Sequence, residues 1–355
     1  MAPALVFALV SCGGEASDPS GATDDETDGD SDDDDDDSNA SDDAYSTDRQ
    51  DLEANAALDL TDGDVFFDLR EGRAVEVDDP TGDEDWDLWF TGWEIRTNGG
   101  ISGVGLGGGV EFPEAGYDTI DTDAIPPVIF QDAHASVFDD WYDYDGTTHA
   151  LASFGYVYLI KDGDRVHKAQ IVSYYGDVGG APVSALYTIR HAELTPEGVG
   201  ETITTEKING TAGGLDADGD AGYYAFDDGK LSLTDGQAAD SDAWDLRFFR
   251  FTVTLNGGVS GPGQRRGYVL DTADFDAVSF ADVPADEKFK SDRVKNVVDQ
   301  WARYDGASGR TLFKDAVWAI QSADGESWFR FYPLFVDGAG SRDYASIEFR
   351  FDPIR

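Results

Sequence analysis

The chain has 355 residues, with 25 Lys and Arg against 73 Asp and Glu and a formal net charge of −48. Nucleic acids and anionic membrane surfaces bind proteins through basic patches, so this charge balance excludes both as partners of the folded surface. The length accommodates about two domains of roughly 150 residues each. A solvated acidic surface is the plain interpretation of the charge, and divalent cation binding is a weaker one.

The first twelve residues resemble the signal of a bacterial lipoprotein. The apolar run from Ala2 to Val10 is too short to span a membrane as a helix. It leads into Leu9-Val10-Ser11-Cys12, which resembles a lipobox, and Cys12 is the only cysteine of the chain. We therefore expect a lipid on Cys12 as the sole membrane attachment. Gly13 follows the cysteine where Asp would retain the protein, so we expect the outer membrane or cell surface of a Gram-negative bacterium.

Residues 13–57 are predicted to be an acidic, disordered tether. Six consecutive aspartates occupy positions 32–37, and Ser, Gly and Asn surround them. Like charges repel and the segment has few apolar side chains to bury, so it should stay extended. We expect it to hold the globular part away from the membrane.

An internal repeat divides the remainder of the chain. Nine of the 18 positions from Trp86 to Gly103 recur, in the same order, from Trp244 to Gly261. Each copy runs Trp-Asp-Leu-x-Phe and then reaches Asn-Gly-Gly, a strand followed by a turn that needs positive φ. The duplication predicts two tandem homologous domains, at 58–194 and 195–355.

In chain order, each copy predicts a hairpin, the Trp-x-Leu-x-Phe strand, one helix and three alternating strands. The helices are expected at 135–144 and 291–304, where apolar residues recur at helical spacing. The strands are expected at 156–161, 166–175 and 184–190, with counterparts at 316–322, 328–335 and 344–351. Aromatic residues on the last three strands, among them Trp318 and Phe331, indicate core packing more than a sugar-binding surface. The fold class is therefore all-β, with one or two short helices per domain.

Several blocks in this order resemble the HmuY family. They are Trp-Asp-Leu-x-Phe with Thr97-Asn98-Gly99-Gly100, Trp141-Tyr142-x-Tyr144, Thr148-His149-x-Leu151, Tyr156-Val157-Tyr158 and Lys168-x-Gln170-Ile171. The resemblance covers residues 60–192 and, more weakly, 218–355. It implies a surface lipoprotein that captures haem b through two axial side chains. Its implied partners are haem, haem-carrying proteins and an outer-membrane haem transporter.

The positions of the family's ligands are not filled in this chain. Family members that use histidine place one just after the Trp-x-x-aromatic block, where this sequence has Gly146 and Gly306. The single methionine is Met1, so methionine ligation is excluded. Neutral imidazole is a good ligand of haem iron, which makes His134 and His149 the candidate ligands. Both can equally be ordinary loop histidines. His167 is a weaker candidate on a strand, and His191, at a strand end, is expected to face solvent.

Two further interpretations follow from acidic and catalytic patterns. Asp216, Asp218 and Asp220 alternate as in the start of a calcium loop, although no Glu stands at the twelfth position. A loose Ca²⁺ site is therefore a minor expectation. No catalytic motif occurs, so we expect no enzyme. The alternative to haem capture is a surface module that has lost haem ligation and binds a protein, a glycan or divalent cations.

Overall fold

The computed structural model describes residues 45–46, 50–337 and 345–355. Cys12, the signal and nearly all of the acidic tether lie outside the described residues. The chain divides into two compact units. Unit 2 is the continuous stretch 134–295, and unit 1 combines 1–133 with 296–355. The compact units therefore do not follow the boundaries of the sequence repeat, and the repeat-based domains stay a prediction about the duplication.

The regular structure of the described residues is almost entirely strand, which confirms the all-β prediction. Residues 45–135 contain β1 (Tyr45–Ser46), β2 (Ala56–Asp59), β3 (Val65–Asp68), β4 (Arg73–Val75), β5 (Leu88–Thr91), β6 (Glu94–Thr97), β7 (Gly108–Pro113) and β8 (Ala133–Ala135). Residues 142–209 contain β9 (Tyr142–Asp145), β10 (Ala150–Ser153), β11 (Val157–Asp162), β12 (Arg165–Ser173), β13 (Gly176–Val178), β14 (Ala181–Val183), β15 (Leu186–Thr195), β16 (Gly198–Val199) and β17 (Ile203–Asn209).

The second half of the chain continues the same pattern. Residues 222–295 contain β18 (Gly222–Ala225), β19 (Gly229–Leu231), the short helix α1 (Asp235–Ala238), β20 (Leu246–Phe249), β21 (Thr252–Leu255), β22 (Arg266–Leu270) and β23 (Arg293–Lys295). Residues 302–353 contain β24 (Ala302–Asp305), β25 (Arg310–Lys314), β26 (Ala316–Gln321), β27 (Trp328–Asp337) and β28 (Ser346–Pro353). A capping box begins α1: the hydroxyl of Thr234 accepts the amide of Gln237, and the side chain of Gln237 accepts the amide of Thr234.

The two units have corresponding sheets. Unit 1 contains a five-stranded sheet of order β2-β28-β27-β26-β7 and a four-stranded sheet of order β4-β3-β5-β6. Unit 2 contains the sheet β16-β15-β12-β11-β22, with β17 also on β15, and the four-stranded sheet β19-β18-β20-β21. The inner face of the large sheet of unit 1 buries Trp318 and Phe331 against the four-stranded sheet. The opposite face buries Tyr332 against Tyr117. The aromatic strands are therefore core, as expected.

The predicted hairpins and strands are confirmed, but both predicted helices are wrong. Residues 133–135 and 142–145 are strands, joined by a turn in which the amide of Asp139 donates to the carbonyl of Ser136. The corresponding stretch 291–304 contains β23 and the start of β24. Phe138 and Trp141 account for the helical spacing in the sequence. Both side chains are buried, but they belong to a turn and not to one face of a helix. Tertiary burial of single side chains here overrides local periodicity.

Strand pairing exchanges the halves of the two repeats. Gly109 of the first copy pairs with Ile320 of the second copy, on β7 and β26. The equivalent residues, Gly267 and Ile160, pair on β22 and β11. Each unit therefore joins the first half of one repeat to the last half of the other. A tandem pair of independent domains would instead place β7 beside β11 within the first copy.

Equivalent tryptophans repeat this exchange through hydrogen bonds. The indole N–H of Trp301 donates to the carbonyl of Trp93 at 2.9 Å in unit 1. Its counterpart Trp141 donates to the carbonyl of Phe251 at 2.8 Å in unit 2. A buried indole N–H needs an acceptor, and in both cases the acceptor is supplied by the other repeat.

The Asn-Gly-Gly turns are fixed by a close approach to a buried aspartate. Gly100 has φ +64° and Gly258 has φ +63°, a region that disfavours a side chain. A Cβ on Gly100 would collide with the carbonyl oxygen of Asp132, and one on Gly258 with that of Asp292. The positive φ and the close carbonyl oxygen therefore explain why both copies have glycine at this position.

The buried aspartate that follows Trp86 in unit 1 and Trp244 in unit 2 has different partners in the two units. Asp87 accepts hydrogen bonds from the hydroxyl of Ser322 at 2.6 Å and the amide of Ala323 at 2.8 Å. In unit 2 the position equivalent to Ser322 is Asp162, which would face Asp245. Arg265 lies between them, with Nε 2.8 Å from Asp245 and Nη2 3.3 Å from Asp162. The guanidinium of Arg265 thus offsets the repulsion between two carboxylates, where unit 1 has a carboxylate beside a hydroxyl.

The exchange predicts where a disulfide can form. In a Cys12→Ser chain, Lys161→Cys and Arg266→Cys place thiols on directly paired residues of β11 and β22, within the reach of a disulfide. A protease site inserted between the exposed Glu201 and Thr202 then separates the repeats. We expect the two cleaved fragments to stay covalently linked on a non-reducing denaturing gel and to separate after reduction.

The matched control is the same cleaved chain without the cysteines. Its fragments should co-elute in native buffer, because β-ladders of both units join them, and separate on the denaturing gel. Failure of the disulfide to form in the folded chain would contradict the exchanged pairing.

Candidate functional site

All four histidines of the chain fall within unit 2. The sequence places them at positions 134, 149, 167 and 191, and unit 2 spans 134–295. All four also belong to the first copy of the repeat, although unit 2 contains the first half of the second copy as well.

His149 lies on the exposed turn between β9 and β10. Asp145 organises the turn, since its carboxylate accepts the amide of Thr147 at 2.8 Å and its carbonyl accepts the amide of His149 at 2.7 Å. His149 itself has φ +58°, a left-handed conformation that is uncommon for a residue with a side chain. Its Nδ1 lies 2.6 Å from the hydroxyl of Tyr144. No described residue is hydrogen-bonded to its Nε2.

His134 is half-buried at the start of unit 2. Its Nδ1 lies 2.8 Å from the hydroxyl of Ser260, in the loop that follows the second Asn-Gly-Gly turn. Burial, and secondarily the positive charge of Arg247, lowers the pKa of His134 to about 4. The imidazole is therefore neutral at physiological pH, the protonation state that ligates metals. Within the described part of the chain, no hydrogen bond or ring contact joins His134 to His149.

The structure brings the other two histidines together in the interior of unit 2. The rings of His167 and His191 are 6.2 Å apart, and His167 stacks on Phe226 at 4.6 Å. Nε2 of His191 lies 2.8 Å from the hydroxyl of Tyr224. Packed in this way, neither ring has a face open to a large planar ligand.

The expectation that His191 faces solvent is wrong. Its side chain is only 2% exposed. The last strand of the copy runs on to Thr195, so His191 is in the middle of β15, where it pairs with Ala169 of β12. Both neighbouring strands and the second sheet cover it.

A small polar pocket adjoins His167. It has a volume of about 70 Å³ and is lined on one side by Arg165 and Asp227 and on the other by Asp245 and Arg265. Each arginine is already paired, Arg165 with Asp227 at 2.7 Å and Arg265 with Asp245 at 2.8 Å. A site for a large planar ligand is a mostly apolar cleft, and this small pocket is lined by charged side chains that are already ion-paired. His167 is therefore a residue of the interior, with no place for haem beside it.

The alternating aspartates do not form a metal site. Asp220 uses a carboxylate oxygen to accept the amide of Asp235 at 2.8 Å, and the amide of Asp216 bonds back to Thr211. Across the described residues, no group of three or more His, Cys, Asp or Glu is arranged to hold a metal ion. The calcium expectation for Asp216, Asp218 and Asp220 thus finds no support.

Sequence reasoning missed Tyr144 as a partner of His149. A signal was present, because the copies align Tyr144 with Tyr304 and His149 with Gly309. The first copy therefore has an imidazole at a turn position where the second copy has a glycine. The vacant family position, Gly146, lies in the same turn, and a side chain added there would meet nothing within 4 Å.

The fold and these imidazoles define a two-unit antiparallel β-protein with an accessible histidine on a fixed turn. The chain belongs to the HmuY family. The model of that family, described as HmuY protein, matches residues 61–149 and 219–325, more than half of the chain and one region in each copy. No curated protein matches the sequence. In the part of the chain that the structure describes, no helix is long and apolar enough to cross a membrane.

Two buried groups of unit 2 should give pH dependences of opposite sign. Burial, with a smaller effect from His167, lowers the pKa of His191 to about 4, whereas burial raises the pKa of Asp292 to about 7. Between pH 4 and 6.5 the unfolded chain protonates His191 and the native chain does not, so stability falls with falling pH. Between pH 3.8 and 7 the native chain alone holds the Asp292 proton, so stability rises with falling pH.

Replacing each group should therefore change the slope in opposite directions. Between pH 4.5 and 6.5, His191 should lower the free energy of unfolding by up to about 1.4 kcal/mol for each pH unit of acidification. The His191→Gln variant should not show this decrease. Asp292→Asn should remove a gain of the same order. Urea unfolding at several pH values measures both slopes. Parallel curves for the wild type and both variants would contradict these assignments.

Proposed function

We propose that this protein binds haem or a related porphyrin through unit 2. The chain belongs to the HmuY family. The proteins of that family are haem-binding surface proteins and not enzymes. The observation that carries the proposal is that two imidazoles of unit 2, those of His134 and His149, have Nδ1 on a hydroxyl and no described partner at Nε2.

This arrangement fits the needs of haem iron. A histidine that ligates a metal donates its other ring N–H to a nearby acceptor, which fixes the tautomer and the ring orientation. Ser260 offers that acceptor to His134 and Tyr144 offers it to His149. Bound haem would supply an iron centre whose axial positions accept neutral nitrogen ligands. We therefore propose His149 and His134 as its ligands.

The cellular setting is part of the same proposal. A lipid on Cys12 would attach the protein to the outer membrane or cell surface, and the acidic segment would extend the folded units from it. Haem would then arrive free or from a haem-carrying protein and pass to an outer-membrane transporter. The net charge of −48 argues for protein or small-molecule partners rather than nucleic acid.

Titration with haemin followed by absorbance tests the proposal. The protein from residue 50 onward is compared with His134→Ala, His149→Ala and the double variant. We expect saturation at one haem per chain, with low-spin features in the wild type. Each single variant should weaken binding and lose the low-spin spectrum, and the double variant should bind no haem specifically.

Thr147→Ala is a matched control, since it changes the exposed turn beside His149 without removing an imidazole. It should behave like the wild type. A broad, unsaturable signal that is equal in all five proteins would contradict haem binding. That result would favour the alternative, a surface module of this family that binds a protein, a glycan or divalent cations.

A further inference from the structure

The turn between β9 and β10 is built twice in this chain with the same backbone. Asp145 accepts the amide of Thr147 at 2.8 Å, and its counterpart Asp305 accepts the amide of Ala307 at 3.0 Å. The turns close in the same way, with the amide of residue 149 or 309 on the carbonyl of the aspartate at 2.7 and 2.8 Å. The two turns therefore provide an internal comparison.

The copies differ at the residue that adopts the left-handed conformation. The second copy has Gly309 there, with φ +67°, and the first has His149, with φ +58°. Glycine adopts this region without penalty, whereas a residue with a Cβ is disfavoured in it. Unfavourable backbone conformations of this kind concentrate at functional sites. The first copy thus carries an imidazole at a position where the fold by itself favours glycine.

Tyr144 holds that imidazole. Its hydroxyl lies 2.6 Å from Nδ1 of His149, and the two rings are 6.0 Å apart. When Nδ1 carries the proton it donates to the phenolic oxygen, and the lone pair of Nε2 is then left free. The equivalent tyrosine of the second copy, Tyr304, faces a glycine and has no imidazole to hold.

We propose that Tyr144 is a positioning residue that fixes the tautomer and direction of His149 so that Nε2 ligates haem iron. This inference rests on the proposed function. It adds to the proposed function in two ways. It assigns the Tyr144 hydroxyl as the acceptor of the Nδ1 proton, and it assigns the β9–β10 turn as the segment that presents the ligand His149. Removal of such an acceptor typically weakens metal binding by about 10–100-fold.

Haemin titration and unfolding of four variants test the proposal. Tyr144→Phe should weaken haemin binding by roughly 10–100-fold and change the low-spin spectrum. Its matched control, Tyr304→Phe in the second copy, should leave both unchanged. His149→Gly and His149→Ala should both lose the low-spin spectrum. His149→Gly should nevertheless unfold at a higher urea concentration than His149→Ala, because only glycine fits φ +58° without penalty.

The outcomes separate this inference from the proposed function. If the wild type shows no saturable haemin binding, the proposed function fails and this inference fails with it. If the wild type binds haemin and Tyr144→Phe has the same affinity and spectrum, haem capture stands and the role of Tyr144 is wrong. A Tyr144→Phe variant that loses stability but keeps its haem spectrum would also overturn the positioning role.

Discussion

The structure depends on two reciprocal strand pairings, β7 with β26 and β22 with β11. Each completes the large sheet of one unit with a strand from the other repeat. The buried indoles of Trp301 and Trp141 find their acceptors across the same exchange. Since unpaired backbone groups of a buried strand are strongly unfavourable, neither repeat can complete its unit without the other. The duplication thus produces two units that each need strands from both repeats, and not one independent domain per repeat.

This exchange determines which residues of the two copies share a unit. It assigns all four histidines to unit 2, where His134 of the first copy contacts Ser260 of the second. In unit 2 the Asp162–Arg265–Asp245 contact stands where unit 1 has the contact of Asp87 with the hydroxyl of Ser322.

Much of the fold could be predicted from periodicity and turn chemistry. The hairpins and the last three strands of each copy alternate clearly, and Gly100 and Gly258 mark turns that only glycine tolerates. The helices at 135–144 and 291–304 were wrong because Phe138 and Trp141 are buried one at a time from a turn, a spacing that local reasoning cannot distinguish from a helix face. His191 was misplaced because its strand is longer than its sequence signal.

The sequence by itself determined the strands, the duplication, the family and the four imidazoles available for chemistry. These depend on residue identity and on neighbours in the chain. Only the tertiary structure decided which repeat completes which sheet, because strand partners more than 100 residues apart leave no local pattern. It also decided that His167 and His191 are interior residues while His149 is held on an exposed turn by Tyr144. Burial and hydrogen bonding are properties of the assembled sheets, so no single segment could specify them.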